Sequence, residues 1–336
     1  MIRYPLLAAA AIVSLVSLAG CGGGQFPMVG TDTSTRTSSD APDGHNDSWT
    51  LPEAKDDDLL YVDAGDGKFT YVLSYPKGKT VGEIRRHQSD MQQGLCSDGK
   101  GDVFVNAMNG NYGNTYEYAH AGKKPLQDLV EPYVWVYGCS VDPTTGDLAV
   151  ASVNWLSAAS YVAIYAHAAG APQLYEISTI INYEFCGYDD NGNLFVDGTG
   201  RSGSFAFAEL PKGGAALKNV SLDQSIEWGG QVQWDGRHIV VGAADASPAV
   251  AYQFSIKGNK GVETGSTTLG GSVAVQQFWI AGKMLIGPEA SANEIGIWKY
   301  PGGGAPIATI VGVRNPFGAT ISLAVARSRR GPTPAL

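Results

Sequence analysis

The sequence repeats itself about every 45 residues, and this period constrains the fold more than any other feature. Short apolar runs recur at this spacing along the chain, at 59–62, 102–105, 147–150, 193–196, 238–241 and 283–286. Alternating segments that close on Gly or Pro turns follow each run, and no window keeps an apolar spacing of 3.6 residues. The pattern predicts an all-β protein, a six-bladed β-propeller with four strands in each blade.

The first unit has no leading strand of its own, because only a polar segment precedes Leu59. The segment 315–323, close to the carboxyl end, reads as a spare strand that no later unit uses. We expect it to become the innermost strand of the first blade and to close the ring, which would remove an exposed sheet edge. The predicted propeller covers residues 51–327, and 328–336 is predicted to be a disordered tail.

An aspartate precedes a Gly-bearing turn in four of the units, at Asp98, Asp142, Asp189 and Asp235. An Asp in this place can accept a hydrogen bond from the backbone two residues further on, while the Gly takes a positive φ. We therefore interpret these aspartates as turn residues between the first two strands of a blade, and not as acid–base catalysts.

The amino-terminal segment has the features of a secretory signal. Arg3 is followed by the apolar stretch from Leu6 to Leu18, which is shorter than the roughly 20 residues of a membrane-spanning helix. The stretch ends in Leu18-Ala19-Gly20-Cys21, which resembles the bacterial lipobox. The resemblance implies a signal peptide over 1–20 and acyl chains on Cys21, which anchor a protein without a spanning helix.

The segment that follows the lipobox, residues 21–50, is polar and rich in Gly and Ser. We expect it to be a disordered tether between the membrane and the folded domain. The anchor that the resemblance implies would place the protein in the bacterial cell envelope. Because Gly22 follows the cysteine, the resemblance implies the outer membrane if the host is Gram-negative.

The charge of the chain argues against nucleic acid as a partner. Its 336 residues have a formal net charge of -9, with only 16% charged residues, and no basic stripe offers the Lys and Arg cluster that phosphate contacts require. Partners are therefore expected to be the membrane, through the anchor, and a carbohydrate, peptide or protein. The propeller is expected to be a monomer.

Three of the four cysteines, Cys96, Cys139 and Cys186, fall on the first strands of the second, third and fourth blades. These strands converge around the central channel, where small side chains fit, so buried thiols packed as small hydrophobic residues are the favoured interpretation. A disulfide between neighbouring blades is also possible in an oxidising compartment and would leave one thiol over. A site of three thiolates for a soft metal is the third alternative.

The repeated motif resembles NHL-type repeats and the six-bladed propellers that include virginiamycin B lyase and gluconolactonase-like hydrolases. Segments 98–105, 141–148 and 189–196 carry this resemblance, while the fifth and sixth units depart from it. It implies, as an alternative function, a metal-dependent hydrolase or lyase with one divalent cation such as calcium. Oxygen ligands for that cation would come from Asn154, Asn182, Glu184 and Glu227.

The favoured function is a non-catalytic binding or scaffold protein without a cofactor, because neither a Ser-His-Asp constellation nor an HExxH helix is recognisable. The segments that enter the blades are aromatic, and the loops between the second and third strands are polar. Aromatic rings and amides at one rim suit a sugar or a peptide. The predicted ligand-binding residues of this mouth are Asn111, Tyr112, Tyr133, Trp135, Asn154, Trp155, Tyr183, Glu184, Arg201 and Trp228.

Overall fold

Six sheets, antiparallel apart from one short parallel edge pair, pack side by side as the blades of a ring and make up the β-propeller. The computed structural model describes residues 47–65, 69–85, 90–110, 112–132, 134–154, 160–244 and 246–324. Within each blade four strands follow one another outwards from the channel, except that blade 1 takes its innermost strand from the carboxyl end. In blades 1 and 5 a further, outermost strand comes from the segment that leads into the blade. The predicted fold class is confirmed.

The strands are numbered in chain order and grouped here by blade. Blade 1 contains β1 (Trp49–Thr50), β2 (Leu59–Ala64), β3 (Phe69–Ser74), β4 (Thr80–Arg85) and β26 (Pro316–Ser322). Blade 2 contains β5 (Asp90–Ser97), β6 (Val103–Asn109), β7 (Tyr112–Tyr118) and β8 (Gln127–Pro132). Blade 3 contains β9 (Trp135–Val141), β10 (Leu148–Val153), β11 (Val162–Tyr165) and β12 (Gln173–Tyr175).

Blade 4 contains β13 (Asn182–Tyr188), β14 (Leu194–Thr199), β15 (Phe205–Leu210) and β16 (Lys218–Asn219). Blade 5 contains β17 (Ser221–Leu222), β18 (Gly229–Trp234), β19 (Ile239–Ala243), β20 (Val250–Lys257) and β21 (Lys260–Thr268). Blade 6 contains β22 (Trp279–Ala281), β23 (Met284–Glu289), β24 (Glu294–Lys299) and β25 (Ala308–Val311).

Strand β26 closes the ring as the sequence predicted. It pairs antiparallel with β2, with Leu59 opposite Ser322 and Val62 opposite Ala319. One boundary needs correction, because Trp49 and Thr50, assigned to the tether, form β1 on the outer edge of the same blade. The first blade therefore has five strands, and its outer edge is covered by the residues that lead into the domain.

The second strand of each blade is the centre of the core. Strands β2, β10 and β19 are buried along their whole length, because a strand inside a packed blade meets a neighbouring blade on each face. Such strands read as continuous apolar runs, which is why the repeat was visible in the sequence. Between blades 3 and 4, for example, Ala149 and Val162 pack against Cys186 and Val196.

The hairpins between the first and second strands form the predicted Asp turns. A carboxylate oxygen of each turn aspartate accepts a hydrogen bond from the backbone N–H two residues on, at 2.7–2.9 Å, in the pairs Asp98–Lys100, Asp142–Thr144, Asp189–Asn191 and Asp235–Arg237. Gly146 and Gly192 take φ values of 80° and 82° in these turns. The interpretation of these aspartates as turn residues is confirmed.

Helical structure in residues 47–324, where described, is limited to two short 3-10 segments, Pro52–Asp56 and Ala166–Ala168. None of the described helices is long and apolar enough to cross a bilayer. The near absence of helix among the described residues agrees with the predicted all-β fold.

Candidate functional site

The ring has two ends that differ in chemistry. We call the end where the chain enters the first strand of each blade the entrance face, and the end formed by the hairpins between the first and second strands the hairpin face. The sequence placed the ligand mouth at the entrance face. Of the predicted residues, Cys21, Asn111, Tyr133 and Trp155 lie outside the described residues.

Asn154, Asn182 and Glu184 lie near one another at the entrance face, between blades 3 and 4. The Asn154 backbone N–H is 2.8 Å from Ser160 Oγ and 3.4 Å from Asn182 Oδ1. The Glu184 carboxylate accepts a 2.7 Å hydrogen bond from the Thr199 hydroxyl. Two of the oxygens proposed as metal ligands, Asn182 Oδ1 and Glu184 Oε1, are therefore engaged with the chain itself. Glu227, the fourth proposed ligand, is exposed.

No group of three or more His, Cys, Asp and Glu side chains that could hold a metal ion is found in the part of the chain that the structure describes. The three cysteines likewise do not form such a group among the described residues.

The remaining predicted mouth residues differ in exposure. Tyr183 is fully buried, and its hydroxyl oxygen accepts a 2.7 Å hydrogen bond from the Ile177 backbone N–H. Its assignment to the mouth is thereby corrected, because a side chain packed between blades offers nothing to a ligand. Trp135 is half-buried, whereas Tyr112 and Trp228 are 47% and 54% exposed. Arg201 is exposed, with Nε 3.3 Å from the Ser178 carbonyl.

Two buried carboxylates lie below this face on blade 4. Asp197 is fully buried, and burial raises the pKa of its carboxyl well above the ordinary value, with Glu184 adding to the shift. Burial also raises the pKa of Glu184. Asp197 Oδ1 accepts a 2.8 Å hydrogen bond from the Phe185 N–H, so this carboxyl fixes the innermost strand of its own blade.

The cysteines differ from the favoured prediction. Cys96 and Cys139 form a disulfide between blades 2 and 3, and Cys186 is a buried free thiol. The assignment of Cys96 and Cys139 as thiols is therefore corrected, and the disulfide alternative is the one that the structure contains. Burial raises the pKa of the Cys186 thiol, which disfavours the reactive thiolate.

The pairing register explains which cysteines meet. Cys139 lies opposite Val150 and Cys186 opposite Val196, which hold the same place in their apolar runs. Cys96 lies opposite Phe104, which is one residue before the equivalent place in its own apolar run. Because a shift of one residue turns a side chain to the other face of its sheet, Cys96 faces forward to blade 3 while Cys139 faces back to blade 2.

The structure contains a cavity of about 820 Å³ at the hairpin face, around the channel axis. All six blades contribute to its wall, and the disulfide forms part of it. Trp234 of blade 5 and Trp279 of blade 6, both half-buried, line one side, and the buried Tyr188 of blade 4 lies beside them. Burial raises the pKa of the Tyr188 hydroxyl, so this group stays neutral.

Sequence reasoning missed this cavity, although a signal was present. Trp234 and Trp279 stand in the two units that depart from the repeat motif, and the departure was treated as weak resemblance. Both tryptophans stand on first strands close to the hairpin turns, so large aromatic side chains at the hairpin end of the channel were the available signal.

Buried glutamine side chains occupy the channel above the cavity. Gln277 is 1% exposed and extends from blade 6 to blade 2, where its amide exchanges hydrogen bonds of 3.2 and 3.0 Å with the Leu95 N–H and carbonyl. Glycine at Gly318 makes room for it, because a Cβ there would lie 2.0 Å from Gln277 Oε1. Gln277 thus bridges blades 6 and 2 inside the ring.

Comparisons with known proteins define the fold and leave the family open. No family model and no curated protein matches this sequence. Among solved structures, a chain in the crystal structure of a nidogen/laminin complex is similar with a TM-score of 0.62 and 12% identity, covering 80% of this chain and 99% of that one. A protein of unknown function from Bacteroides caccae gives 0.60 and 12%, covering 79% and 99%. At this identity the likeness shows the propeller fold alone.

Proposed function

We propose that this protein is an extracytoplasmic binding or scaffold lipoprotein, and that its ligand site is the cavity at the hairpin face. The observation that carries the proposal is the cavity itself. Its volume falls within the range of roughly 300–1,000 Å³ that is typical of ligand sites, and its wall is mostly apolar with a few polar groups, as such sites usually are. The ligand is a sugar, a peptide or another small molecule.

The disulfide supports the extracytoplasmic part of the proposal. Structural disulfides persist in oxidising compartments and are rare in the cytosol. The lipobox-like sequence that ends at Cys21 supports a lipid anchor in the cell envelope, in the outer membrane for a Gram-negative host. Metabolic labelling with a fatty acid tests the anchor: the chain should incorporate label, and Cys21→Ala should abolish incorporation. Equal labelling of both chains would reject it.

A protein partner is supported by one further consideration. The similar nidogen/laminin propeller comes from a complex between two proteins, and propellers with NHL-like repeats offer a rigid ring for such contacts. A scaffold role for the present chain needs no cofactor. We expect the purified protein to be free of stoichiometric metal and its melting temperature to be unchanged by a chelator. Bound calcium whose removal lowers the melting temperature would favour the hydrolase or lyase alternative instead.

Glycan and peptide arrays, followed by titration of any hit, test the site. We expect Trp234→Ala and Trp279→Ala each to weaken binding of the hit at least tenfold. Trp228→Ala is the matched control, because Trp228 is an exposed tryptophan at the entrance face. A hit that loses affinity with Trp228→Ala and keeps it with the two cavity variants would move the site to the entrance face and contradict the proposal.

A further inference from the structure

We infer that the hairpin-face cavity takes a small amphiphile, with its apolar body inside and its polar end at the rim, in preference to a saccharide. The inference rests on the proposed function in that the cavity is a ligand site. It goes further by naming the class of ligand from the state of the wall's polar groups.

The inner wall of the cavity is largely apolar. Trp279 and Ile280 of blade 6 follow Val232 and Trp234 of blade 5 around the axis, and Ile321 of blade 1 comes next. The Cys96–Cys139 disulfide, which carries no hydrogen-bond donor, continues this surface between blades 2 and 3. Binding of an apolar body to such a wall is favourable, because it removes apolar surface from water.

Several polar side chains of the inner wall are already engaged in holding blades together, and Gln231 Oε1 and Trp234 Nε1, which have no hydrogen-bond partner among the described residues, are closed off from solvent. The Ser97 hydroxyl lies 2.9 Å from Thr320 Oγ1 and 2.7 Å from the Ile321 carbonyl. The Gln233 amide exchanges two hydrogen bonds with the backbone of Ile280, at 2.8 and 3.2 Å. Ser140 Oγ accepts a 3.0 Å hydrogen bond from the Tyr188 N–H.

The two carboxylates in the wall are engaged in the same way. Asp98 Oδ1 accepts hydrogen bonds from the N–H groups of Lys100 and Asp102, at 2.9 and 2.8 Å. Asp142 accepts from the Thr144 N–H and from the hydroxyls of Thr144 and Thr145, at 2.7–3.0 Å. A sugar that entered the cavity would lose the hydrogen bonds between its hydroxyls and water. Because these carboxylates already accept hydrogen bonds from the chain, the loss would not be compensated, which is unfavourable.

The rim differs from the interior. Lys100, Thr144 and Thr145 are exposed there on the hairpins of blades 2 and 3, and Leu323, 42% exposed, extends the apolar wall outwards. A polar or anionic end group placed at this rim keeps its water and lies near the Lys100 ammonium. An amphiphile therefore matches both zones, and its end group stays out of the apolar interior.

Titration with 1-anilinonaphthalene-8-sulfonate tests the inference, with energy transfer from tryptophan as the signal. The protein is the full chain with Cys21→Ser, so that no attached lipid competes. We expect saturable binding, displacement of the probe by decanoate, and no displacement by maltohexaose at the same concentrations.

Two variants locate the probe. Ala281→Trp fills the cavity, and Leu323→Glu places a negative charge at the rim on an exposed side chain that folding tolerates. Each should weaken probe binding at least tenfold, whereas Val311→Glu, at an exposed position on the outer edge of blade 6, should leave it unchanged.

The outcomes distinguish failure of the amphiphile as ligand from failure of the cavity as a ligand site. Displacement by maltohexaose but not by decanoate would overturn the amphiphile and keep the cavity as a ligand site. Equal probe binding by all variants would place the probe elsewhere and overturn the inference. If neither class of ligand binds, and the affinity of the array hits is also unchanged by Trp234→Ala and Trp279→Ala, the proposed function fails as well.

Discussion

A displacement of one residue along a strand decides which cysteines of this protein can meet. The three cysteines occur in similar repeats, yet Cys96 precedes its turn aspartate by two residues, and Cys139 and Cys186 precede theirs by three. That difference turns Cys96 towards the next blade. The position equivalent to Cys96 in blade 3 is Ser140, which lies opposite Ala149 and faces blade 4.

Replacing this serine should create a second inter-blade bridge. In Ser140→Cys, the new thiol would stand to Cys186 as Cys96 stands to Cys139, so we expect the two to form a disulfide. With Cys21→Ser in the background, the denatured, unreduced protein should show no free thiol by thiol-specific labelling, against one in the parent.

Val141→Cys is the matched control for this experiment. Val141 packs on the side of blade 2, so a cysteine there faces away from Cys186, and two free thiols should remain. Two free thiols in Ser140→Cys as well would contradict the register argument.

A buried acid should make stability depend on pH. Glu131 is 2% exposed, and burial raises the pKa of its carboxyl from 4.5 to about 8, partly offset by hydrogen bonds from Tyr165 and Tyr161. The folded protein therefore holds a proton that the unfolded chain releases above its ordinary pKa. The stability linked to this group is full below pH 4.5 and is lost as the pH rises to about 8, by about 1.4 kcal/mol for each unit of pKa difference.

Glu131→Gln should remove this dependence, because the amide has no proton to release. We expect the variant to match the parent near pH 4.5 and to have the higher melting temperature at pH 8, measured by calorimetry across that range. Glu53→Gln, at an exposed residue, should follow the parent at every pH. A gap between Glu131→Gln and the parent that narrows towards pH 8 would show that the carboxylate is stabilised in the folded state.

At the scale of the strand, blade 1 depends on the last strand of the chain. Strand β26 supplies the partner of β2, and Ser322 Oγ lies 2.6 Å from His120 of the neighbouring blade. A chain that ends at residue 315 would leave β2 with an open edge on the channel side and a gap between blades 6 and 2. We expect it to lose the single cooperative unfolding transition and to aggregate. A chain that ends at residue 324 should unfold as the parent does.

Strands and turns were more predictable from the sequence than side-chain facing was. The second strands are recognisable in the sequence as continuous apolar runs because they are buried on both faces. The Asp turns are recognisable because their hydrogen bonds join residues close together in the chain. The orientation of Cys96, the burial of Tyr183 and the width of the channel at Trp234 depend on how neighbouring blades meet. Such contacts join residues far apart in the chain, and no local pattern encodes them.

At the scale of the whole molecule, the ring is tied together across its axis as well as around it. Gln277 joins blade 6 to the backbone of Leu95 in blade 2, and so spans the blade that the two ends of the chain complete. We expect Gln277→Leu to lower the free energy of unfolding by about 2 kcal/mol or more, because it leaves a buried N–H and a buried carbonyl unpaired. Denaturant titration measures this.

Gln276→Leu is the control for the channel variant. Gln276 is the exposed neighbour, and its backbone carbonyl, which accepts from the Gln231 N–H, is untouched by the change. Its unfolding should stay within about 0.5 kcal/mol of the parent. Equal behaviour of the two variants would show that the hydrogen bonds across the axis contribute little to the ring.

The two ends of the described chain leave blade 1 at different places. Ser48 Oγ accepts a hydrogen bond from the Arg85 N–H at the outer edge of the ring. Leu323, in contrast, lines the cavity, and the Ala324 N–H donates a hydrogen bond to Asp58 beside it. A fusion partner or affinity tag joined ahead of residue 47 would therefore start far from the cavity, whereas one joined directly after residue 324 would start at its rim. Immobilisation through the amino end is the geometry that leaves the cavity free for a ligand.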